Sequence, residues 1–192
     1  MKTKYIAAFA LALSLSVTAS ADQSAYPIAK VDYGDFKSLV SEVESHRAAR
    51  LLSFEDFLTL SKEEGVVILD SRSKFRFDRI HLKGARHLNF SDFSQANLAR
   101  VIPSHDTKIL IYCNNNFDGN QVDFESKLAP RFRGWESPIK RQLAEQERPL
   151  MMALNIPTYI NLYGYGYRNV YELHELVNVT DLRVQFEGSI VK

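Results

Sequence analysis

The chain contains a single cysteine, Cys113, and its neighbours limit what it can do. It follows the apolar run Ile109-Leu110-Ile111-Tyr112 and precedes Asn114-Asn115-Asn116, so a thiol ends a buried strand and opens a polar loop. Catalytic groups of open parallel sheets collect at the carboxyl ends of strands. Asparagines tolerate left-handed backbone and let amide N–H groups turn toward an anion such as a thiolate. Asn114, Asn115, Asn116, Phe117, Asp118 and Gly119 are therefore the expected anion-binding loop. A working thiolate also needs a depressed pKa: free cysteine titrates near ~8.5, and backbone dipoles, a helix N-terminus or cations must lower it. Asn120 followed by Asp123 reads as the cap of a helix over 121–129, stopped by Pro130, which would put a helix N-terminus beneath the loop. The competing reading is a buried, inert cysteine. Three asparagines directly after it argue against that, because a packed cysteine is usually followed by more strand or helix.

The elements that would position this thiol can be read from hydrophobic spacing. Phe36, Leu39, Val40 and Val43 recur at helical intervals between Asp35 and Glu44. Leu51-Leu52 is a short strand, and Ser53-Phe54-Glu55-Asp56 is a capped helix start, closed by Gly65. Val66-Val67-Ile68-Leu69 is the continuous apolar run of a strand buried on both faces, and it ends in Asp70-Ser71-Arg72. A helix around 75–80, a strand over 87–90, a helix from 91 or 92 to 101, a strand over 108–112 and a last strand over 169–173 with a helix-like tail complete the expectation. This alternation predicts a doubly wound α/β sheet. Tyr159, Tyr163, Tyr165, Tyr167 and Tyr171, gathered near the last strand, are expected in or beside the core.

Four segments then occur in order: Leu69-Asp70-Ser71-Arg72, His81-Leu82-Lys83-Gly84-Ala85, Ile111-Tyr112-Cys113, and Tyr167-Arg168-Asn169-Val170-Tyr171-Glu172-Leu173. Together they resemble the landmarks of a rhodanese-like domain over about residues 50 to 175. The resemblance implies a five-stranded parallel sheet flanked by helices. It also implies a sulfurtransferase in which Cys113 carries sulfur as a persulfide, from a donor such as thiosulfate to an acceptor such as cyanide or another thiol. Its partners would be a small sulfur-containing anion or a partner thiol, and no cofactor is implied. Asp70 and Arg72 would organise the turn beside the thiol, and His81 would order its own turn through a backbone bond.

The chain departs from that family in two ways. The stretch 114–119 holds no cation, and Asp118 is an anion that would raise the pKa of a nearby thiol. The alternative function is therefore a non-catalytic rhodanese-like binding or redox-sensing module. The second departure is extra chain between Cys113 and Asn169, an insertion at about 130–156. Ser137-Pro138 begins a helix through Glu147, and Pro157 opens another that ends near Gly164. Arg131, Arg133, Arg141 and Trp135 would lie on this insertion, as a lid or simply facing water.

The first 21 residues have the three parts of a secretory signal peptide: Lys2 and Lys4, an apolar stretch from Tyr5 to Leu15, and Ala19-Ser20-Ala21 with cleavage expected after Ala21. The mature chain would be periplasmic or secreted, with a leader and short helix over 22–50 and the rhodanese-like domain over 51–192. Cleavage removes two lysines and no acid, which takes the formal charge from +1 to −1. Near-neutral charge gives no electrostatic basis for binding nucleic acid or an anionic membrane. His81, His87 and His174 lack partners at ligand spacing, so no metal is expected.

Overall fold

The computed structural model describes residues 26–129 and 150–191. Its elements are α1 (Tyr33–Ala48), β1 (Leu51–Leu52), α2 (Phe54–Leu60), β2 (Val67–Asp70), α3 (Lys74–Arg79), β3 (His81–Leu82), β4 (Arg86–His87), α4 (Gln95–Val101), β5 (Ile109–Tyr112), β6 (Phe117–Asp118), β7 (Leu128–Ala129), β8 (Leu150–Met151), α5 (Asn155–Gly164), β9 (Val170–Leu173), β10 (Val177–Asn178) and β11 (Phe186–Glu187). The expected signal peptide at 1–21 and the helix expected from Pro138 to Glu147 fall outside the described residues.

The main sheet runs β1-β9-β5-β2-β4, and every neighbouring pair is parallel. β5 is the middle strand, and all four of its residues are buried. Side chains alternate across a strand, so Ile109 and Ile111 face one core while Leu110 and Tyr112 face the other. The first core is closed by Val43 of α1, Leu98 of α4, and Tyr159, Leu162 and Tyr163 of α5. Phe54 and Phe57 of α2 close the second, together with Phe117, Phe124 and Val177. Covering both faces with helices explains why these strands are apolar throughout rather than alternating. The tyrosine-rich region is core where expected: Tyr159, Tyr163 and Tyr167 are buried.

Helix starts follow local chemistry. Ser53 accepts from the Asp56 N–H at 3.1 Å, Ser73 from the Arg76 N–H at 3.4 Å, and Ser94 from the Asn97 N–H at 3.2 Å. Each satisfies a donor that the first turn of a helix leaves open. The Ser94 cap sets the start of α4 at Gln95, three or four residues later than the spacing predicts, because Phe90–Asp92 is taken up by a 3₁₀ turn. The strand expected over 87–90 is correspondingly reduced to Arg86–His87.

Three further expectations need correction. The helix expected over 121–129 is a single turn followed by β7. The Asn120 cap does form, accepting from the Asp123 N–H at 3.1 Å. Asp123, however, is drawn to Arg79 at 2.6 Å and Phe124 enters an aromatic cluster with Phe117 and Phe186, so the backbone cannot continue as a surface helix. The tail after β9 is extended where described: β10 pairs parallel with β6, and β11 pairs antiparallel with β3. The helix expected to open at Pro157 starts at Asn155, two residues earlier. No described helix is long and apolar enough to cross a membrane.

The tail closes tightly at Gly188, which has φ +137°, and a Cβ there would sit 2.3 Å from the Arg79 carbonyl oxygen. Gly65 also has positive φ, +79°, but its Cβ would meet open space. Gly65→Ala should therefore cost about 1–2 kcal/mol, the left-handed penalty alone. Gly188→Ala should cost more, because backbone must also move. Urea unfolding of the two variants checks this, and equal midpoints would refute it.

Candidate active site around Cys113

Cys113 leaves β5 in an extended conformation and sits at the carboxyl end of the middle strand, as expected. Its side chain is only 2 % exposed. The residues after it do not form one open loop. Asn114–Asn116 makes a 3₁₀ turn, and Phe117 and Asp118 pair as β6 with Val177 and Asn178. Phe117 is buried against Tyr112 and Phe124. Of the expected cradle, the Asn114 backbone N–H acts to lower the thiol pKa.

The backbone donor directed at the sulfur comes from far along the chain. The Leu154 N–H points at Cys113 Sγ at 3.3 Å, and Leu154 is the N-cap of α5. The helix whose N-terminus faces the thiol is therefore α5, not the one expected over 121–129. The chain leaves the thiol, makes β6, β7 and β8, and returns 41 residues later to supply this donor. Pro157 revealed the helix in the sequence, but nothing at that separation linked it to the cysteine.

The three asparagines use their side chains as ties. Asn114 donates to the Glu125 carbonyl at 3.0 Å. Asn115 accepts from the Lys127 N–H at 2.8 Å. Asn116 donates to the Leu173 carbonyl at 2.7 Å and accepts from both the Cys113 N–H and Asn155, each at 2.9 Å. The thiol's turn is thus bonded to β9, to the segment before β7, and to the first residue of α5.

Asp70 and Arg72 do organise the adjoining turn, and they are buried. Asp70 accepts from Arg72 through Nε at 3.0 Å and NH2 at 2.7 Å, from the Arg72 N–H at 2.9 Å, and from Tyr112 Oη at 2.5 Å. Arg72 also donates to the Ile80 carbonyl at 2.6 Å and, at 3.5 Å, to Asn114 Oδ1. Its guanidinium stacks over Phe124, 4.8 Å from the ring centre. Burial works against the Arg72 charge, but the bonds to Asp70 outweigh it and hold the group charged above its ordinary value. Burial, reinforced by Asp70, pushes the Tyr112 phenol well above its usual range, so Tyr112 acts as a neutral donor.

His81 lies apart from the thiol. Its Nδ1 is 2.7 Å from the Phe77 carbonyl, and its ring stacks on Phe77, the turn-ordering role expected of it. Asp118 is exposed, and its carboxylate accepts from the Gly119 N–H at 2.8 Å, closing its own turn. The charges that act on the sulfur are Asp70 and Arg72 instead. Arg131, Arg133, Trp135 and Arg141 fall outside the described residues.

Burial is the largest influence on the Cys113 pKa and raises it; the Leu154 and Asn114 N–H groups oppose that, Asp70 adds to it, and Arg72 opposes it. The net direction is upward, so the resting group is a thiol near neutral pH. Among the described residues no group of His, Cys, Asp and Glu is arranged to hold a metal ion.

Alkylation of Cys113 should be slow at pH 7 and keep rising with pH beyond the ordinary cysteine range of ~8.5, because only the thiolate reacts. Asp118→Asn should leave that profile in place; a shift toward lower pH would mean its carboxylate reaches the sulfur. Asp70→Asn should cost about 3–5 kcal/mol of stability, since it strands the Arg72 charge in the interior. Chemical denaturation measures this, and a loss below about 1 kcal/mol would contradict it.

Residues 53–140 match the family model described as Rhodanese-like domain. Among solved structures, the BH2092 protein from Bacillus halodurans aligns over 80% of this chain and 88% of its own, at 14% identity and a TM-score of 0.44. The Alr3790 protein from Anabaena sp. aligns over 72% and 82%, at 15% identity and a TM-score of 0.41. No curated protein matches the chain. The matched stretch runs from the α2 cap through the Asp70–Arg72 turn and past Cys113, across three strands of the five-stranded parallel sheet, and over those residues the chain matches a rhodanese-like domain.

Proposed function

We propose that the protein is a sulfurtransferase that carries sulfane sulfur on Cys113. The observation that supports this is the backbone N–H of Leu154, at the N-terminus of α5, directed at Cys113 Sγ at 3.3 Å at the end of the middle strand. Such a donor favours an anionic sulfur in a site from which water is excluded. With thiosulfate as donor, the Cys113 thiolate attacks the outer sulfur and the S–S bond to the sulfonate breaks. The products are a Cys113 persulfide anion and sulfite. Cyanide then attacks the terminal sulfur, giving thiocyanate and regenerating the thiolate; each step conserves charge and leaves no net oxidation. The raised thiol pKa makes the first step favour alkaline pH. We further propose that residues 1–21 are removed on export and that this chemistry takes place in the periplasm.

A second reading has its own observation. A thiol 2 % exposed, with Arg72, the cation that acts on it among the described residues, already held by Asp70, suits a binding or redox-sensing module that does not turn over. Mass spectrometry after incubation with thiosulfate separates the two. The sulfurtransferase reading expects one added sulfur atom on Cys113, released as thiocyanate by cyanide, and loss of both in Cys113→Ser. Thiocyanate formed by Cys113→Ser at the parent rate would remove the cysteine from the chemistry. Absence of the adduct with every donor would leave the non-catalytic module.

A further inference from the structure

Ser71 and Thr158 are enclosed polar residues that take no part in the sulfur chemistry. Each is 1 % exposed, and their hydroxyls lie 2.7 Å apart, joining the residue between Asp70 and Arg72 to the first turn of α5. A threonine inside a helix commonly returns its hydroxyl to the carbonyl four residues back. Here the hydroxyl reaches across to Ser71, while the Thr158 N–H closes the turn on the Leu154 carbonyl at 2.8 Å. The residue that faces the sulfur and the residue that meets Ser71 are thus the two ends of one hydrogen-bonded turn.

That turn has a second anchor. Asn155 donates to Asn116 Oδ1 at 2.9 Å, and Asn116 belongs to the thiol's own 3₁₀ turn. One anchor fixes a point and leaves a helix end able to pivot about it. Ser71 supplies the other point from the end of β2, and it is itself fixed: its carbonyl accepts the Phe90 N–H at 3.0 Å, and its neighbours on both sides form the buried ion pair. Apolar packing is non-directional and permits small slides of α5. A bond between two enclosed hydroxyls is directional, and breaking it strands the survivor.

From this arrangement we infer that Ser71 and Thr158 are positioning residues: together they hold the first turn of α5 where the Leu154 N–H meets Sγ, and so set how readily Cys113 forms an anion. The inference rests on the sulfurtransferase reading only for its purpose, since a persulfide anion at this sulfur would use the same donor. Among the described residues, the charged groups that act on the sulfur are Asp70 and Arg72, which oppose each other. Glu125 and Lys127, on the segment tied to Asn114 and Asn115, pair with each other at 3.1 Å. On β9, Glu172 is paired with Arg47 at 2.6 Å, and His174 beyond it is exposed. The first turn of α5, Asn155-Ile156-Pro157-Thr158, carries no charge. Removing either hydroxyl therefore alters no charge near Sγ, and a change in its ionisation reports the place of the helix end.

The test follows the rate of Cys113 alkylation by iodoacetamide against pH in the full mature chain. Loss of a donor to the thiolate raises the pKa, so Thr158→Val and Ser71→Ala should each move the midpoint upward by about one unit. The double variant should move it no further than one change alone, because the two hydroxyls act as a pair. Thr158→Ser keeps the hydroxyl and should keep the parent midpoint. Leu98→Ala, in the core beneath α4, controls for lost stability: it should lower the unfolding midpoint and leave the thiol's profile in place. An unmoved profile in Ser71→Ala, or an equal shift in Leu98→Ala, would overturn the inference. Should Thr158→Val not fold, NMR of Ser71→Ala decides: the Leu154 amide signal, which should move as Cys113 titrates in the parent, should move less there, and an undiminished response would refute the role. Failure of the persulfide to form with any donor would remove the sulfur-transfer reading and leave these shifts as they are.

Discussion

The buried pair of Asp70 and Arg72 is the constraint around which the site is arranged. Both groups are almost fully enclosed, and two charges taken out of water are tolerated only when nearly every donor and acceptor is matched. Here the matching partners are what join the site. Arg72 reaches back to the Ile80 carbonyl at the end of α3, and Asp70 takes the Tyr112 hydroxyl from β5. Tyr112 in turn accepts the Leu82 N–H of β3. The residue after Tyr112 is Cys113, so the height of the thiol above the sheet is set by bonds whose loss would strand a charge. The pair adds little net stability by itself, and what it supplies is a single permitted arrangement of β2, β3 and β5.

The thiol is held between opposing effects. Enclosure disfavours its ionisation, and the Leu154 and Asn114 N–H groups favour it. The same polypeptide segment is responsible for part of both, since the backbone at Leu154 that donates to the sulfur also helps cover it. The asparagines fix that compromise. Asn116 bonds Cys113, Asn155 and Leu173 at once, so the spacing between the sulfur and the start of α5 is set by one amide whose donors and acceptor are all engaged. An asparagine suits this position because a carboxamide offers donors and an acceptor at one short side chain without adding charge.

Much of the fold was legible locally. The runs at 66–69 and 109–112 are strands because apolar residues on both faces leave no side for water, and Ser53 and Ser94 mark helix starts because their hydroxyls satisfy open N–H groups. The places where local reading failed share one cause. Asn120 to Ala129 has the cap of a helix, yet Asp123 and Phe124 are claimed by Arg79 and by Phe117, partners distant in sequence. The tail after Leu173 likewise becomes strand because β6 and β3 present edges to it.

The sequence by itself determined that this is an alternating α/β chain, that Cys113 ends a buried strand, and that the Asp70–Arg72 turn lies in the same sheet, because each of these follows from apolar periodicity and from residue types at neighbouring positions. Only the tertiary structure decided which groups surround the sulfur. The asparagines could face an anion or tie down backbone, and they tie it down; Asp118 could oppose the thiolate, and it closes its own turn instead. The N–H group that meets the sulfur belongs to Leu154, 41 residues onward, at the N-terminus of α5. A contact across such a separation is fixed by how α5 packs on β5 and β9, and that packing depends on the shape of the whole core rather than on any local pattern.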